Sequence, residues 1–174
     1  MDTMVTAISM IRSFSYFASV DIKDAYYCLP IDNNDQKYLK FMWQGDLYKY
    51  TCLPNGLGSA PRIFTKVMKV AFSQLRAQGL ESALYIDDCW LQGKDFKCCQ
   101  NNVVKTVKLL QSLGFIIHPT KSSLTPTQSI TFLGFILNSV DMTVTLSQEK
   151  ALHIKALVKK LFHCPSQLSE KWQK

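Results

Sequence analysis

The spacing of apolar residues changes several times along this chain. Met4, Val5, Ile8 and Ile11 recur at helical spacing, which predicts a short amphipathic helix over 2–12. Phe17 to Val20 is an apolar run ending in Asp21 and reads as a buried strand. Lys37 to Trp43 and Leu47 to Leu53 are aromatic and β-branched runs separated by Gln44-Gly45-Asp46, a hairpin signal, and Pro54-Asn55-Gly56 is a turn. Phe64, Val67, Met68, Ala71 and Leu75 mark a long helix, with Ser59 as its N-cap and Pro61 in its first turn. Ala83 to Ile86 and Cys89 to Leu91 read as two short strands around an Asp87-Asp88 tip. Val103, Val107 and Leu110 predict another helix, ended by Gly114, and Phe115 to Ile117 a strand. Ile130 to Ile136 and Met142 to Thr145 read as a second hairpin. Ala151, Ile154, Val158 and Leu161 mark a last helix closed by Pro165, with Lys155 and Lys159 off its apolar face. Strands and helices interleaved through hairpins give an α+β fold with a mainly antiparallel sheet.

Composition narrows the class. The 174 residues are 47% hydrophobic, enough for a core and too many for a disordered chain. Residues 1–90 hold 9 basic and 9 acidic side chains, whereas residues 91–174 hold 11 and 4, so the whole net charge of +7 sits in the back part. That asymmetry fits a polyanion met by the back part, or a solvated lysine-rich surface. The longest uncharged stretch, Ser122 to Val140, is interrupted by Pro126, and nine of its 19 residues are Ser, Thr, Gln or Asn. It is no membrane span, and the N-terminus lacks a signal-peptide pattern. The expectation is an intracellular protein, cytoplasmic or nuclear, with no membrane partner. Its six cysteines show no CxxC spacing, and His118, His153 and His163 complete no zinc pattern, so free thiols are expected.

Three stretches carry chemistry. In Tyr85-Ile86-Asp87-Asp88, two adjacent carboxylates at a hairpin tip repel each other, and a divalent cation relieves that repulsion. An acidic turn facing water would read the same. Asp21-Ile22-Lys23-Asp24-Ala25-Tyr26 also ends an apolar strand. If that strand lies beside the Asp87 hairpin, three carboxylates meet at one sheet edge, suiting two Mg²⁺ ions about 3.5–4 Å apart for in-line displacement at phosphorus. Asp21 as a helix cap is the alternative. The glycines of Leu53-Pro-Asn-Gly-Leu-Gly58 allow close backbone approach to a ligand. The helix after them sets Arg62, Lys66 and Lys69 on one face, either for phosphate contact or as a solvated surface.

Taken in order, these stretches resemble the palm of retroelement reverse transcriptases. Asp21-Ile-Lys-Asp-Ala-Tyr26 is similar to the family's first catalytic motif, Leu53 to Phe64 to its second, and Tyr85-Ile-Asp-Asp88 to its third. Gly114-Phe115 with Lys121 is similar to the fourth, and Thr131-Phe-Leu-Gly134 to the primer-grip hairpin. The resemblance covers roughly residues 2–162. Tyr38-Leu-Lys-Phe41, Cys52-Leu-Pro-Asn-Gly56 and Ala60-Pro-Arg-Ile-Phe-Thr65 most resemble the DIRS-type branch, which integrates with a tyrosine recombinase.

The resemblance implies an RNA-directed DNA polymerase using two Mg²⁺ ions, with Mn²⁺ able to replace them. Its partners would be an RNA or DNA template with primer, and dNTPs. Asp21 and Asp87 would bind both metals, Asp88 would support the site, and the Ile22 carbonyl would complete it. Tyr26 would lie under the incoming sugar and exclude a 2′-hydroxyl, or be a plain core aromatic. Asn55 and Gly56, with Tyr85 and Ile86, would line the nucleotide pocket. Lys121 would give a proton to leaving pyrophosphate, or be a surface lysine. Phe132, Leu133 and Gly134 would hold the primer end, and Arg62, Lys66 and Lys69 would meet the template–primer. Residues 1–146 would form the palm with partial fingers, including a hairpin near 37–53, and 147–174 would begin a thumb. The family's fingers carry a basic pair upstream of the first Asp, whereas Arg12 is the sole basic residue before Asp21. An intact catalytic centre in an incomplete clamp is therefore expected, with no RNase H or recombinase region. The rivals are a silent remnant that only folds or binds nucleic acid, and a palm-type nucleotide cyclase, which needs neither the primer-grip stretch nor Leu53 to Phe64.

Overall fold

A computed structural model describes residues 2–163, with side chains through residue 160. The first helix, α1 (Met4–Met10), is opened by a capping box in which the Thr3 and Thr6 side chains each accept from the other's main-chain N–H. Strand β1 (Tyr16–Lys23) runs past Asp21 into a 3₁₀ turn over Ala25–Cys28. A second 3₁₀ turn (Gln36–Tyr38) leads to the hairpin of β2 (Lys40–Trp43) and β3 (Asp46–Lys49). Then come α2 (Ala60–Ala77), β4 (Glu81–Tyr85), β5 (Asp88–Gly93) and α3 (Phe96–Ser112). The short β6 (Ile116–Ile117) precedes β7 (Ser123–Thr127), and β8 (Ser129–Phe132), β9 (Phe135–Asn138), β10 (Thr143–Leu146) and α4 (Gln148–His163) follow. The class is α+β with antiparallel pairing throughout the described strands.

The main sheet runs β4-β5-β1-β6, with β7 also on β1. Its two faces are covered by different layers. Phe64, Met68, Phe72 and Leu75 of α2, with Cys99, Val103 and Leu110 of α3, pack on Val20, Ile22, Leu84 and Leu91. On the opposite face, Phe17, Ala83 and Trp90 pack against Ala7 of α1 and against Ile130, Phe132 and Leu137 of the β8–β9 hairpin. Burial on both sides leaves every residue of β5 from Cys89 to Gly93 buried, with no alternation of buried and exposed positions. Side chains along a strand alternate between faces. Asp21 therefore shares the face of Phe17, and Asp88 the face of Trp90, which the β8–β9 hairpin covers.

Two expectations need correction. The acidic pair is not the hairpin tip: Ile86-Asp87 forms the turn, and Asp88 is already the first residue of β5. Ile130 to Ile136 is not one strand, because Leu133-Gly134 folds it into the β8–β9 hairpin of a three-stranded sheet. Both residues have positive φ, 49° and 76°, the pattern of a two-residue I′ turn. Ser59 is the N-cap of α2 as expected, its carbonyl accepting from Ile63 N–H at 3.0 Å, although its side chain makes no capping hydrogen bond; Pro61, which lacks an N–H, lies in the first turn. Asp21 is not a helix cap, since β1 continues two residues beyond it.

The expected hairpin over 37–53 is present but shorter, turning at Gln44-Gly45. The cysteines among the described residues are free; Cys164 and Pro165 lie outside them. On α4, Ala151, Ile154 and Val158 are exposed, so the apolar stripe has no cover among the described residues. No helix among them is long and apolar enough to cross a membrane.

Candidate active site

The sheet register makes the site. β1 and β5 pair so that Asp21 lies directly opposite Asp88. Like charges at directly opposed positions on one face destabilise a sheet, so this pairing needs a reason other than stability. Asp87 stands beside them, and its main-chain oxygen accepts from Ile22 N–H at 3.0 Å. The turn that presents it is strained. Ile86 has φ 55°, which a β-branched residue adopts only under constraint from its surroundings.

Two further segments close on Asp21. The loop between β6 and β7 is stapled to its peptide group: His118 N–H donates to Asp21 O at 2.8 Å, and Asp21 N–H donates to Ser122 Oγ at 3.0 Å. That loop carries Lys121 to the carboxylates. On the other side, residues 29–31 run beside residues 51–53, with Leu53 N–H donating to Leu29 O and Ile31 N–H to Thr51 O, each at 2.9 Å. This pairing delivers the Pro54-Asn55-Gly56 turn, where Asn55 Nδ2 donates to the Tyr27 hydroxyl at 3.1 Å.

The result is an open cleft of about 440 Å³. Asp21, Ile22, Tyr26 and Asn55 line it from the first two motifs, Ile86 and Asp87 from the third, and Lys121 from the fourth. Lys23, Asp24, Tyr27 and His118 line it as well. Sequence reasoning gave these four no role at the site. The alternation of β1 was a signal for Lys23, and the two-residue step from Ile116 one for His118; Asp24 and Tyr27, beyond the strand, had none. Ile22 is buried in the core, so it reaches the cleft with main-chain atoms. Tyr26 packs edge-on against Phe64, ring centroids 5.5 Å apart, while also facing the cleft. Gly56 and Tyr85 are exposed neighbours of lining residues, and Asp88 sits behind the cleft rather than on its wall. Arg62, Lys66 and Lys69 are exposed along α2, and the Lys69 charge acts on Asp2. Phe132 is buried under the sheet, with Leu133-Gly134 at the tip of its hairpin. Arg12 ion-pairs with Glu81.

Electrostatics mark the cleft as a place short of positive charge. Burial raises Asp21 above the usual carboxylate range, with Asp87 adding to the rise and Lys121 and His118 opposing it. Asp88 is pushed up to about 6 by burial, then by Asp87 and Asp21. Burial raises Tyr26 too, helped by Asp87 and Tyr85. The Asp88 proton is therefore held more tightly in the folded protein than in the unfolded chain. Its contribution favours the fold below about pH 4 and is lost as pH rises through about 6. Asp88→Asn is expected to stabilise the metal-free protein by about 1 kcal/mol more near pH 7.5 than near pH 4.5, after allowance for solvent screening. Urea midpoints in chelator at the two pH values check this, and an equal effect at both would contradict it.

Among the described residues, no group of three or more His, Cys, Asp or Glu side chains is drawn tightly enough to cage a metal. Mg²⁺ keeps several waters and is usually held by one or two carboxylates plus substrate phosphates. Asp21 and Asp87 on the cleft wall, with the main chain at Ile22, are the groups that could hold such an ion, and Asp88 adds charge from behind.

Comparison with known proteins supplies the family. Residues 3–137 match the family model described as Reverse transcriptase (RNA-dependent DNA polymerase). The chain is 27% identical over 138 residues to the Gag-Pol polyprotein of Gibbon ape leukemia virus, covering 74% of this chain and 8% of the polyprotein. It is 28% identical over 119 residues to the retrovirus-related Pol polyprotein from transposon 412 of Drosophila melanogaster, covering 68% of this chain and 9% of that one. The chain thus spans under a tenth of the length of these relatives. The foamy viral protease-reverse transcriptase superposes with a TM-score of 0.71 in complex with RNA/DNA hybrid, at 24% identity over 80% of this chain and 18% of that one. In complex with double-stranded DNA the TM-score is 0.76, at 22% identity over 89% of this chain and 26% of that one. With the family model spanning most of its length, and the sheet and cleft as described, the chain belongs to the reverse transcriptase family.

Proposed function

We propose that this domain extends a primer on an RNA template, adding deoxynucleotides in an RNA-directed DNA polymerase reaction. The observation that carries the proposal is the opposition of Asp21 and Asp88 across β1 and β5, with Asp87 on the same cleft. In the reaction, the primer 3′-hydroxyl attacks the dNTP α-phosphate, forming a P–O bond as the bond to pyrophosphate breaks. Two Mg²⁺ ions, with Mn²⁺ as substitute, would supply charge neutralisation at the attacking and leaving oxygens. Asp21 and Asp87, with the Ile22 main chain, would hold them, and Asp88 would support the site. Lys121, on the loop stapled to Asp21, would hold a proton for the departing pyrophosphate. Asn55, fixed by Tyr27, would line the nucleotide site with Gly56, Tyr85 and Ile86.

Phe132, Leu133 and Gly134 would hold the primer end. Arg62, Lys66 and Lys69 would meet the template–primer backbone. Residues 147–174, of which 164–174 lie outside the described residues, would begin the thumb, and β2–β3 would belong to the fingers. The phrases Tyr38 to Phe41, Cys52 to Gly56 and Ala60 to Thr65 favour a DIRS-type element as the source.

The test is extension of a DNA primer on an RNA template with dNTPs and Mg²⁺. Addition of the nucleotide complementary to the template is expected. Product that ignores the template sequence would overturn the proposal, as would cyclisation of a nucleotide without primer. Tyr26 supplies a sharper check. Its ring is braced by Phe64 and faces the cleft, so it can discriminate between sugars by a steric clash. Tyr26→Ala is expected to raise ribonucleotide use relative to deoxyribonucleotide use roughly tenfold or more. Unchanged selectivity would make Tyr26 a core aromatic only.

A further inference from the structure

We propose that Lys150 is a positioning residue that latches the first turn of α4 onto the Leu133-Gly134 turn, fixing the main chain that the primer end would meet. The inference rests on the reading of that turn as primer-holding, and it begins from the turn's own instability. Leu133 and Gly134 both lie in the left-handed region, at φ 49° and 76°. Leucine reaches that region only at a cost, so the tip needs support from outside itself. The root of the hairpin is anchored, because Ile130, Phe132 and Leu137 are buried against the main sheet. At the tip the half-buried Leu133 side chain rests on the same cluster, which leaves the main-chain carbonyls of Leu133 and Gly134 to be met from elsewhere.

The start of α4 supplies the support. Ser147 N–H donates to Gly134 O at 3.0 Å, and Lys150 Nζ donates to Leu133 O at 3.1 Å. Two consecutive carbonyls of the turn are thus taken by one helical turn. Ser147 also caps that turn, accepting from Lys150 N–H through its hydroxyl at 3.3 Å and from Ala151 N–H through its carbonyl at 2.9 Å. The Lys150 ammonium stands 4.0 Å from the centroid of the Phe135 ring, a cation–π contact at the foot of β9. Its stem fills the space a side chain at position 134 would need: a Cβ there would lie 2.6 Å from Lys150 Cδ. Gly134 is therefore required twice, once for its φ and once to admit the lysine.

Beyond this first turn, residues 151–160 of α4 are exposed. The latch is a tie between the direction of α4 and the position of the tip. Movement of one pulls on the other through bonds to the main chain, not through side chains that could slide. A methionine at 150 keeps most of the stem but loses the charged donor. An arginine keeps the donor and the ring contact.

The experiment compares the wild-type chain with Lys150→Met, Lys150→Arg and Gly134→Ala. Hydrogen exchange at the Ser147 amide reads the latch without any catalysis. Fluorescence anisotropy with a labelled DNA primer on an RNA template reads the dissociation constant. Lys150→Met is expected to speed Ser147 exchange and weaken primer–template binding, each by roughly fivefold or more, with the urea midpoint little changed. Lys150→Arg is expected to restore most of both, and Gly134→Ala, which displaces the lysine stem, to reproduce the loss. Unchanged Ser147 exchange in Lys150→Met would overturn the latch. Faster exchange with unchanged primer–template affinity would overturn the primer-holding reading beneath it.

Discussion

Asp87→Asn is expected to abolish templated incorporation while leaving the metal-free fold as stable as before, or more so. The Asp87 carboxylate raises Asp21 and Asp88, so it works against two like-charged neighbours in the protein without metal. Asparagine is nearly isosteric and removes that repulsion. It also removes one of the three acidic side chains on the cleft wall, the one that stands with Asp21 at the sheet edge. Loss of one charge-stabilising group at a developing transition state costs ~10²–10³ in rate, and a bare metal ligand costs at least as much. Single-turnover incorporation and urea denaturation in chelator, on the same preparations, separate the two effects. Near-normal turnover would take Asp87 out of the site, whereas a large loss of stability would make it a structural residue. The Asp88 carboxyl should also titrate lower in this variant, because its second-largest cause of elevation is gone.

Gly93→Ala is expected to destabilise the fold by about 3 kcal/mol, at the upper end of what overpacking costs. Gly93 ends β5, where the first turn of α3 crosses the strand. A Cβ there would lie 2.2 Å from Cys99 N and 2.8 Å from Cys98 C, both main-chain atoms of that helix. Neither can swing aside as a side chain would, so α3 itself must shift away from β5. The register of β5 against β1 sets the Asp21–Asp88 opposition, so some loss of incorporation should accompany the loss of stability. Thermal unfolding checks the first effect. A variant within about 0.5 kcal/mol of wild type, the range of an ordinary surface substitution, would mean that α3 does not pack this closely on the strand.

The chemistry-bearing stretches were easier to read than the elements that assemble them. Phe17 to Asp21 and Ala83 to Ile86 announced buried strands ending in acid, and the structure does bring those ends together. The register could not be read from them. A shift of one residue would send Asp88 to the helix-covered face, and nothing local in the sequence distinguishes the two. The same gap misplaced Asp88 at the tip, because the turn uses Ile86 at φ 55° where a glycine would have announced it.

β7 was missed entirely. Its Ser-Leu-Thr-Pro-Thr sequence has no strand-like alternation, and Pro126 argues against a central strand. It pairs with β1 beside β6, sharing that edge, and a proline can be accommodated in such a position. His118 was weighed only as a zinc ligand, and its main-chain bond to Asp21 spans nearly a hundred residues of sequence. Such long-range ties leave no periodic signal.

The central claim is that Asp21 and Asp87 on one cleft hold the divalent ions of a nucleotidyl transfer site. Mn²⁺ titration followed by electron paramagnetic resonance tests it most directly, in the presence of dNTP and primer–template, on wild type, Asp21→Asn and Asp87→Asn. The account predicts Mn²⁺ binding by the wild-type complex that is lost or weakened at least tenfold in each variant, equivalent to about 1.4 kcal/mol or more. Mn²⁺ binding unchanged by either substitution would contradict it.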